Sequence, residues 1–244
     1  MFEHVEIWQI LLANAAILLG SFIQSGTGFG LGLIAVPLLT FINPIFTPGA
    51  FLFSSLFQNM VMAERNRDGI RKEWLGYFFP GLFLGAFLIY PVIGYLKGPG
   101  AQVAIGVTIL VAVGISASGF SVALNRRNLV VGAALAGVMS TIAAIIGPPL
   151  ILLLQNEKGI EIRANLAVTF LVGTVASLIA LHFAGRFEIL HLTAGVALLP
   201  GIFLGSLLGA RFASFLDARC LRPVLLSLVG FGGAALIVKN LMFA

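Results

Sequence analysis

The sequence is poor in charge. Of 244 residues only 9% are Asp, Glu, Lys or Arg, whereas 59% are hydrophobic. A soluble domain carries about 25% charged residues, so this chain has too few to cover a water-facing surface, and its mean hydropathy of +1.08 agrees. A soluble enzyme, a DNA-binding module, a coiled coil and a disordered regulator are excluded. A single cysteine, Cys220, rules out an internal disulfide and cysteine-based metal clusters. The histidines His4, His182 and His191 have no metal-ligand spacing, and no metal or cofactor is expected. Glu64, Asp68, Glu73, Glu157, Glu161, Glu188 and Asp217 all fall at loops. The intramembrane carboxylate of a proton-coupled pump is therefore missing. The net charge of +5 would suggest nucleic acid in a soluble protein. Here no nucleic-acid partner is expected, and where the charges fall matters more than their sum.

What the chain has is long apolar runs, near 7–23, 29–42, 49–63, 74–96, 101–122, 129–154, 164–184, 192–213 and 221–238. About 20 residues cross the hydrocarbon as a helix, and barrel strands would alternate instead. The expected fold is an all-α, polytopic protein of the inner cell membrane, with the lipid bilayer as its surroundings. The start, Met1-Phe2-Glu3-His4-Val5-Glu6, is acidic where a cleavable signal would be basic, so residues 7–23 read as a retained helix. Residues 5–42 would extend ~57 Å as one straight helix. The stretch must therefore break, and Gly26-Thr27-Gly28-Phe29-Gly30 is the place. A second break is expected at Gly147-Pro148-Pro149.

An internal duplication is visible. Pro80-Gly81-Leu82-Phe83-Leu84-Gly85 matches Pro200-Gly201-Ile202-Phe203-Leu204-Gly205 at an offset of 120. Arg71-Lys72-Glu73-Trp74-Leu75 matches Arg186-Phe187-Glu188-Ile189-Leu190 at 115, and Pro37-Leu38-Leu39 matches Pro149-Leu150-Ile151 at 112. The reading is two transmembrane repeats, residues 1–124 and 125–244, within one membrane domain. If residues 7–42 make no net crossing, the halves are inverted. Arg65, Arg67, Arg71, Lys72, Arg126, Arg127, Lys158, Arg163, Arg211, Arg219 and Arg222 then lie inside, and only Lys97, Arg186 and Lys239 lie outside. The alternative makes 7–42 one broken span and gives eight spans in two parallel halves, but it splits the cations almost evenly. The positive-inside rule favours the inverted arrangement, with both termini outside.

The stretch from Gln24 to Pro37 carries four glycines in seven positions, accompanied by Gln24, Ser25 and Thr27. Glycine permits tight turns and close approach of a ligand. A helix restarting near Phe29 would aim unpaired N–H groups at an anion. The competing reading is tight packing through small-xxx-small faces at Gly26, Gly28, Gly30 and Gly32. In the second half Ser140 and Thr141 precede Gly147-Pro148-Pro149. Paired interruptions in two halves point to a midplane binding site.

A glycine-rich break leading to Val36-Pro37-Leu38-Leu39, a later Gly147-Pro148-Pro149-Leu150 and a two-fold repeat resemble the TauE/SafE (TSUP) family of sulfite and organosulfonate exporters. The resemblance implies a secondary transporter of small anions: sulfite, sulfoacetate, other organosulfonates and some carboxylates. By motif it places Gly26, Thr27, Gly28, Gly30 and Pro37 in one signature and Gly147, Pro148 and Pro149 in the other. Where the family has further glycines before the second proline, this chain has Ala143, Ala144, Ile145 and Ile146.

Other polar residues stand inside apolar runs: Gln58 and Asn59 after Ser54 and Ser55, then Thr169 and Thr174. Such groups face the bundle interior, where they touch substrate or tie helices together. His182 reads as interfacial, Asn165 as helix-terminal, and loop 64–73 as an orientation anchor. With no fixed charge inside the spans, an anion would be held by backbone donors and hydroxyls. Cytoplasmic negativity of about 100 mV favours exit of each negative charge by about 2.3 kcal/mol, so uncoupled export is expected. The leading function is an alternating-access exporter of a small anion, with a homodimer as the candidate assembly. The alternative is an anion channel that uses the same elements as a pore, and an enzyme finds no support.

Overall fold

The computed structural model describes residues 5–119, 122–211 and 218–242, with side chains for all of these except 218–225 and 228. The expectations for residues 1–4, Asp217 and Ala244, and for the side chains of Arg219, Cys220 and Arg222, lie outside the described residues. The described chain is helical, with no strand. Its helices are α1 (Ile7–Thr27), α2 (Leu31–Ile42), α3 (Gly49–Arg65), α4 (Lys72–Tyr95), α5 (Gly98–Ala117), α6 (Arg126–Ala143), α7 (Gly147–Leu154), α8 (Gly159–Phe183), α9 (Ile189–Ala197), α10 (Leu199–Arg211) and α11 (Ala218–Met242). Among the described residues, α1, α4, α5 and α8 are long and apolar enough to cross a membrane, and α9 with α10, bent by 41°, make a fifth candidate. Leu11, Leu88, Leu207 and Phe231 are exposed on the outside of the bundle. Helices apolar on every face suit lipid and not water.

The stretch 7–42 folds as a hairpin. Helix α1 ends at Gly28, whose φ of 95° lets its N–H return to the Gln24 carbonyl at 2.8 Å. Gly30, at φ 117°, completes the reversal, and both angles lie where only glycine sits without strain. Helix α2 begins at Leu31, two residues later than expected. It runs back along α1, with Leu31 beside Gly20 and Asn43 Nδ2 donating to Gln9 Oε1 at 3.2 Å. A single broken span would put residues 9 and 43 at opposite ends, so the eight-span reading of this stretch is corrected.

The second half repeats the device. Helix α6 ends at Ala144, which adopts φ 55° without being glycine, and its N–H bonds the Ser140 carbonyl at 2.7 Å. Helix α7 then returns past Gly132, which faces Leu153 and the Pro149 carbonyl. The interruption therefore lies at 144–146, not at the prolines. Pro148 and Pro149 occupy the first turn of α7, where their missing N–H is no loss and their fixed φ suits a helix start. Pro37 sits well inside α2. By their caps the two reversals correspond differently from the offset-112 pairing of Pro37 with Pro149: residues 28–32 stand where 144–148 stand in the second hairpin.

The two halves interlock. Helix α10 packs on α1 and α4 packs on α6. A Cβ on Gly201 would lie 2.5 Å from the Asn14 carbonyl oxygen, and one on Gly81 would lie 2.5 Å from that of Val130. Gly81 and Gly201, which the offset-120 sequence match aligns, thus each press on a carbonyl of a neighbouring helix. Asn14 strengthens one of these contacts, donating to the Ala197 carbonyl at 2.9 Å and accepting from the Gly201 N–H at 2.8 Å. Helices α3 and α8 pair antiparallel: the α3 end at Arg65 and the turn after it lie against the α8 start, where Gly69 meets Ile160. Arg71 bonds Glu161 through Nη2 at 2.6 Å, and Asn165 bonds both the Arg71 N–H and the Gly69 carbonyl. Helices α5 and α11 also pair antiparallel, through Gly106, Ile109 and Gly233.

Candidate functional site

The two hairpin tips meet inside the bundle. A Cβ on Gly32 would lie 2.8 Å from the Ala144 carbonyl oxygen, and one on Gly147 would lie 3.8 Å from Phe29 Cβ. The starts of α2 and α7 converge there on a cavity of about 30 Å³, room for a water molecule or two. Phe51, Ser55 and Asn59 of α3 line one wall, and Phe170 and Thr174 of α8 line the other. Phe51 with Ser55, and Phe170 with Thr174, are i, i+4 pairs and so share a helix face. They stand 119 positions apart, so each half supplies one ring and one hydroxyl residue.

Among the described residues no charged one lines the cavity. Its polarity comes from a few fixed groups. Gln24 Nε2 donates to Asn59 Oδ1 at 3.0 Å, and Gln24 Oε1 accepts the Leu31 N–H at 3.2 Å. This uses the Asn59 acceptor and leaves its Nδ2 as the group a ligand can take. Helix geometry gives the Gly32 and Leu33 N–H groups no intrahelical acceptor. The Thr174 hydroxyl is buried with no hydrogen-bond partner. Ser55 donates to the Leu52 carbonyl at 2.8 Å. The set is rich in donors and uncharged, with Gln24, Asn59 and Thr174 buried, the composition that suits a small anion.

Of the residues singled out in the sequence, Gln24, Gly30, Gly32, Ser55, Asn59, Gly147, Pro148 and Thr174 line this cavity. The others do not. Ser25 and Gln58 belong to a buried network in which Gln58 Nε2 donates to Ser25 Oγ at 2.9 Å and Ser21 Oγ donates to Gln58 Oε1 at 2.6 Å. That network fastens α1 to α3 and, through Ser206 and the Ile202 carbonyl, to α10. Ser140 and Thr141 play the matching part, bonding Ser177 at 2.8 and 3.2 Å and tying α6 to α8. Gly26 lies in the last turn of α1. Thr27 stays local, its hydroxyl 2.9 Å from the Ile23 carbonyl and 2.8 Å from that of Phe29. Gly28 supports the turn, Pro37 packs against Gly232 of α11, and the Pro149 carbonyl faces Gly132. Thr169 is buried away from the cavity, also without a partner. The rings Phe29, Phe51 and Phe170 escaped notice because single aromatics in an apolar run look like core. The repeated Phe-x-x-x-Ser/Thr at one offset was the signal that could have found two of them.

Residues 13–236 match the family model described as sulfite exporter TauE/SafE. The chain is also similar to a probable sulfite/organosulfonate exporter TauE of Cupriavidus necator, 25% identical over 236 residues, which covers 89% of this chain and 90% of that protein. No solved structure matches.

Proposed function

Because the chain belongs to the sulfite exporter TauE/SafE family, we propose that this membrane anion transporter exports sulfite or a small organosulfonate by alternating access at the cavity between the two hairpin tips. The observation that carries the reading is the convergence of two helix starts on a buried, uncharged, donor-lined cavity. The Gly32 and Leu33 N–H groups, Asn59 Nδ2 and the Thr174 hydroxyl would replace water around the sulfur-bound oxygens. Phe29, Phe51 and Phe170 keep water out, which strengthens each remaining polar contact. The cavity takes only a water or two, so a sulfite with its sulfur and three oxygens fits only once the tips part. Rocking of one half against the other supplies that opening.

The inverted arrangement of residues 1–124 and 125–244 is part of the proposal. It is supported by the two hairpins, by the reciprocal α1–α10 and α4–α6 contacts, and by the antiparallel pairing of α3 with α8. The end that carries Arg65, Arg67, Arg71 and Lys72 would face the cytoplasm. In the inner membrane the potential then drives anion exit without a coupling ion. Sulfite flux in proteoliposomes holding the purified protein tests the reading. Saturable, trans-stimulated flux is expected, and linear single-channel currents would replace the carrier with a channel. Chemical crosslinking in native membranes tests whether the protein is a homodimer.

A further inference from the structure

Four arginines cluster where α3 ends and α8 begins, and they divide into two kinds. Arg67 bonds Glu64 at 2.9 Å and Arg71 bonds Glu161 at 2.6 Å. Arg65 and Arg163 have no carboxylate partner among the described residues. Arg65 Nη2 donates to the Ser25 carbonyl, in the last turn of α1, at 2.8 Å. The Arg163 stem lies across the hairpin turn, its Cγ 2.9 Å from where a Cβ on Gly28 would stand, and its Nε donates to Asn66 Oδ1 at 3.3 Å. The two are close enough for their like charges to oppose each other. Each guanidinium has five N–H donors in a fork that matches an oxyanion, and each has most of them unspent.

Their position links them to the cavity. Arg65 is six residues along α3 from Asn59, and Arg163 is seven along α8 from Phe170, ~9 and ~10.5 Å at the helical rise. Gly28, under Arg163, is two residues from Gly30 in the cavity wall. We propose that Arg65 and Arg163 form an oxyanion-capturing mouth over the tip of the first hairpin. The inference rests on the transport reading above and adds a second, cationic site to it. A doubly positive mouth draws an anion from the basic face and begins to strip its water. The neutral cavity below then holds it weakly enough to let it go. Because Arg65 also grips the Ser25 carbonyl, an arriving anion competes for the same guanidinium and loosens the hairpin tip.

The test measures sulfite binding to the purified full-length protein by calorimetry, together with sulfite flux in proteoliposomes, at low and raised salt. Arg65→Gln and Arg163→Gln should each weaken binding and raise the flux KM by about tenfold, the loss of one charge-assisted contact. Both should flatten the salt dependence. Arg163→Lys should retain most of the binding, and it carries the test if Arg163→Gln does not fold. Arg67→Gln, at the same end but paired with Glu64, should change nothing. Unaltered binding in both glutamine variants, or an equal loss in Arg67→Gln, overturns the mouth. If the wild type binds sulfite through Arg65 and Arg163 but moves none, the mouth stands and the transport reading falls. If it neither binds nor moves sulfite, both fall.

Discussion

Gly32→Ala adds one methyl group where the two hairpins touch. Gly32 lies in the first turn of α2 at an ordinary helical angle, so the cost is one of space alone. The new Cβ would lie 2.8 Å from the Ala144 carbonyl oxygen, where ordinary contact begins at 3.4 Å. The neighbour is backbone and cannot swing aside, so the tips must separate by roughly 0.6 Å to restore contact. Overpacking of this kind costs about 1–3 kcal/mol. Replacing glycine by alanine within a helix returns about 1 kcal/mol. The two terms nearly cancel in stability, so thermal unfolding should shift by only a few degrees. Transport has no such compensation, because the Gly32 N–H moves away from the α7 tip. The expected result is at least a tenfold fall in kcat/KM for sulfite flux in proteoliposomes. Gly76→Ala, on α4 with open space around it, is the control and should leave flux unchanged. Wild-type flux from Gly32→Ala would refute the idea that tip-to-tip contact builds the transport site.

Three further outcomes follow from the same geometry. Asn59→Asp keeps the side-chain shape but places a carboxylate in a cavity with no counter-charge. Sulfite flux should be lost, because the fixed negative charge repels the anion in surroundings that screen it little. Thr174→Val removes a hydroxyl that makes no hydrogen bond among the described residues; the unfolding temperature should hold or rise, while the flux KM rises several-fold. Gly81→Ala and Gly201→Ala meet equivalent carbonyls at the same 2.5 Å. Each should lower stability by about 2–3 kcal/mol, and clearly unequal losses would count against a structural duplication.

Much of the fold was legible because lipid imposes simple rules. Scarce charge and long apolar runs announced membrane helices, and glycines at two positions of positive φ marked the first reversal. The second reversal was misplaced because prolines are conspicuous while the deciding residue, Ala144, carries no sign of its φ of 55°. The candidate site was half legible. Gln24, Gly30 and Asn59 stood out as polar or flexible groups in apolar surroundings. Ser25, Gln58, Ser140 and Thr141 stood out for the same reason, yet they turned out to fasten helices together. Composition cannot separate these roles, because a buried polar group must find a partner whether that partner is substrate or protein. Only the partners decide: Gln58 spends its amide on Ser25, whereas Asn59 has an N–H to spare.

The two tips are alike in shape but unequal in chemistry, and this bears on how an anion would be held. The α2 start offers N–H groups at Gly32 and Leu33. In the α7 start the corresponding positions are Pro148 and Pro149, neither of which has an N–H to donate. The second tip therefore contributes a rigid wall and little hydrogen bonding, and most backbone donors come from the first half. A symmetric cradle with two full donor sets would bind an anion tightly from both sides and resist letting it go. An asymmetric one holds it against α2 and α3, and it weakens as soon as the proline-capped tip and α8 move away. In the proposed transport site the charge-poor composition and the pair of prolines would thus serve one end, to favour anions without trapping them.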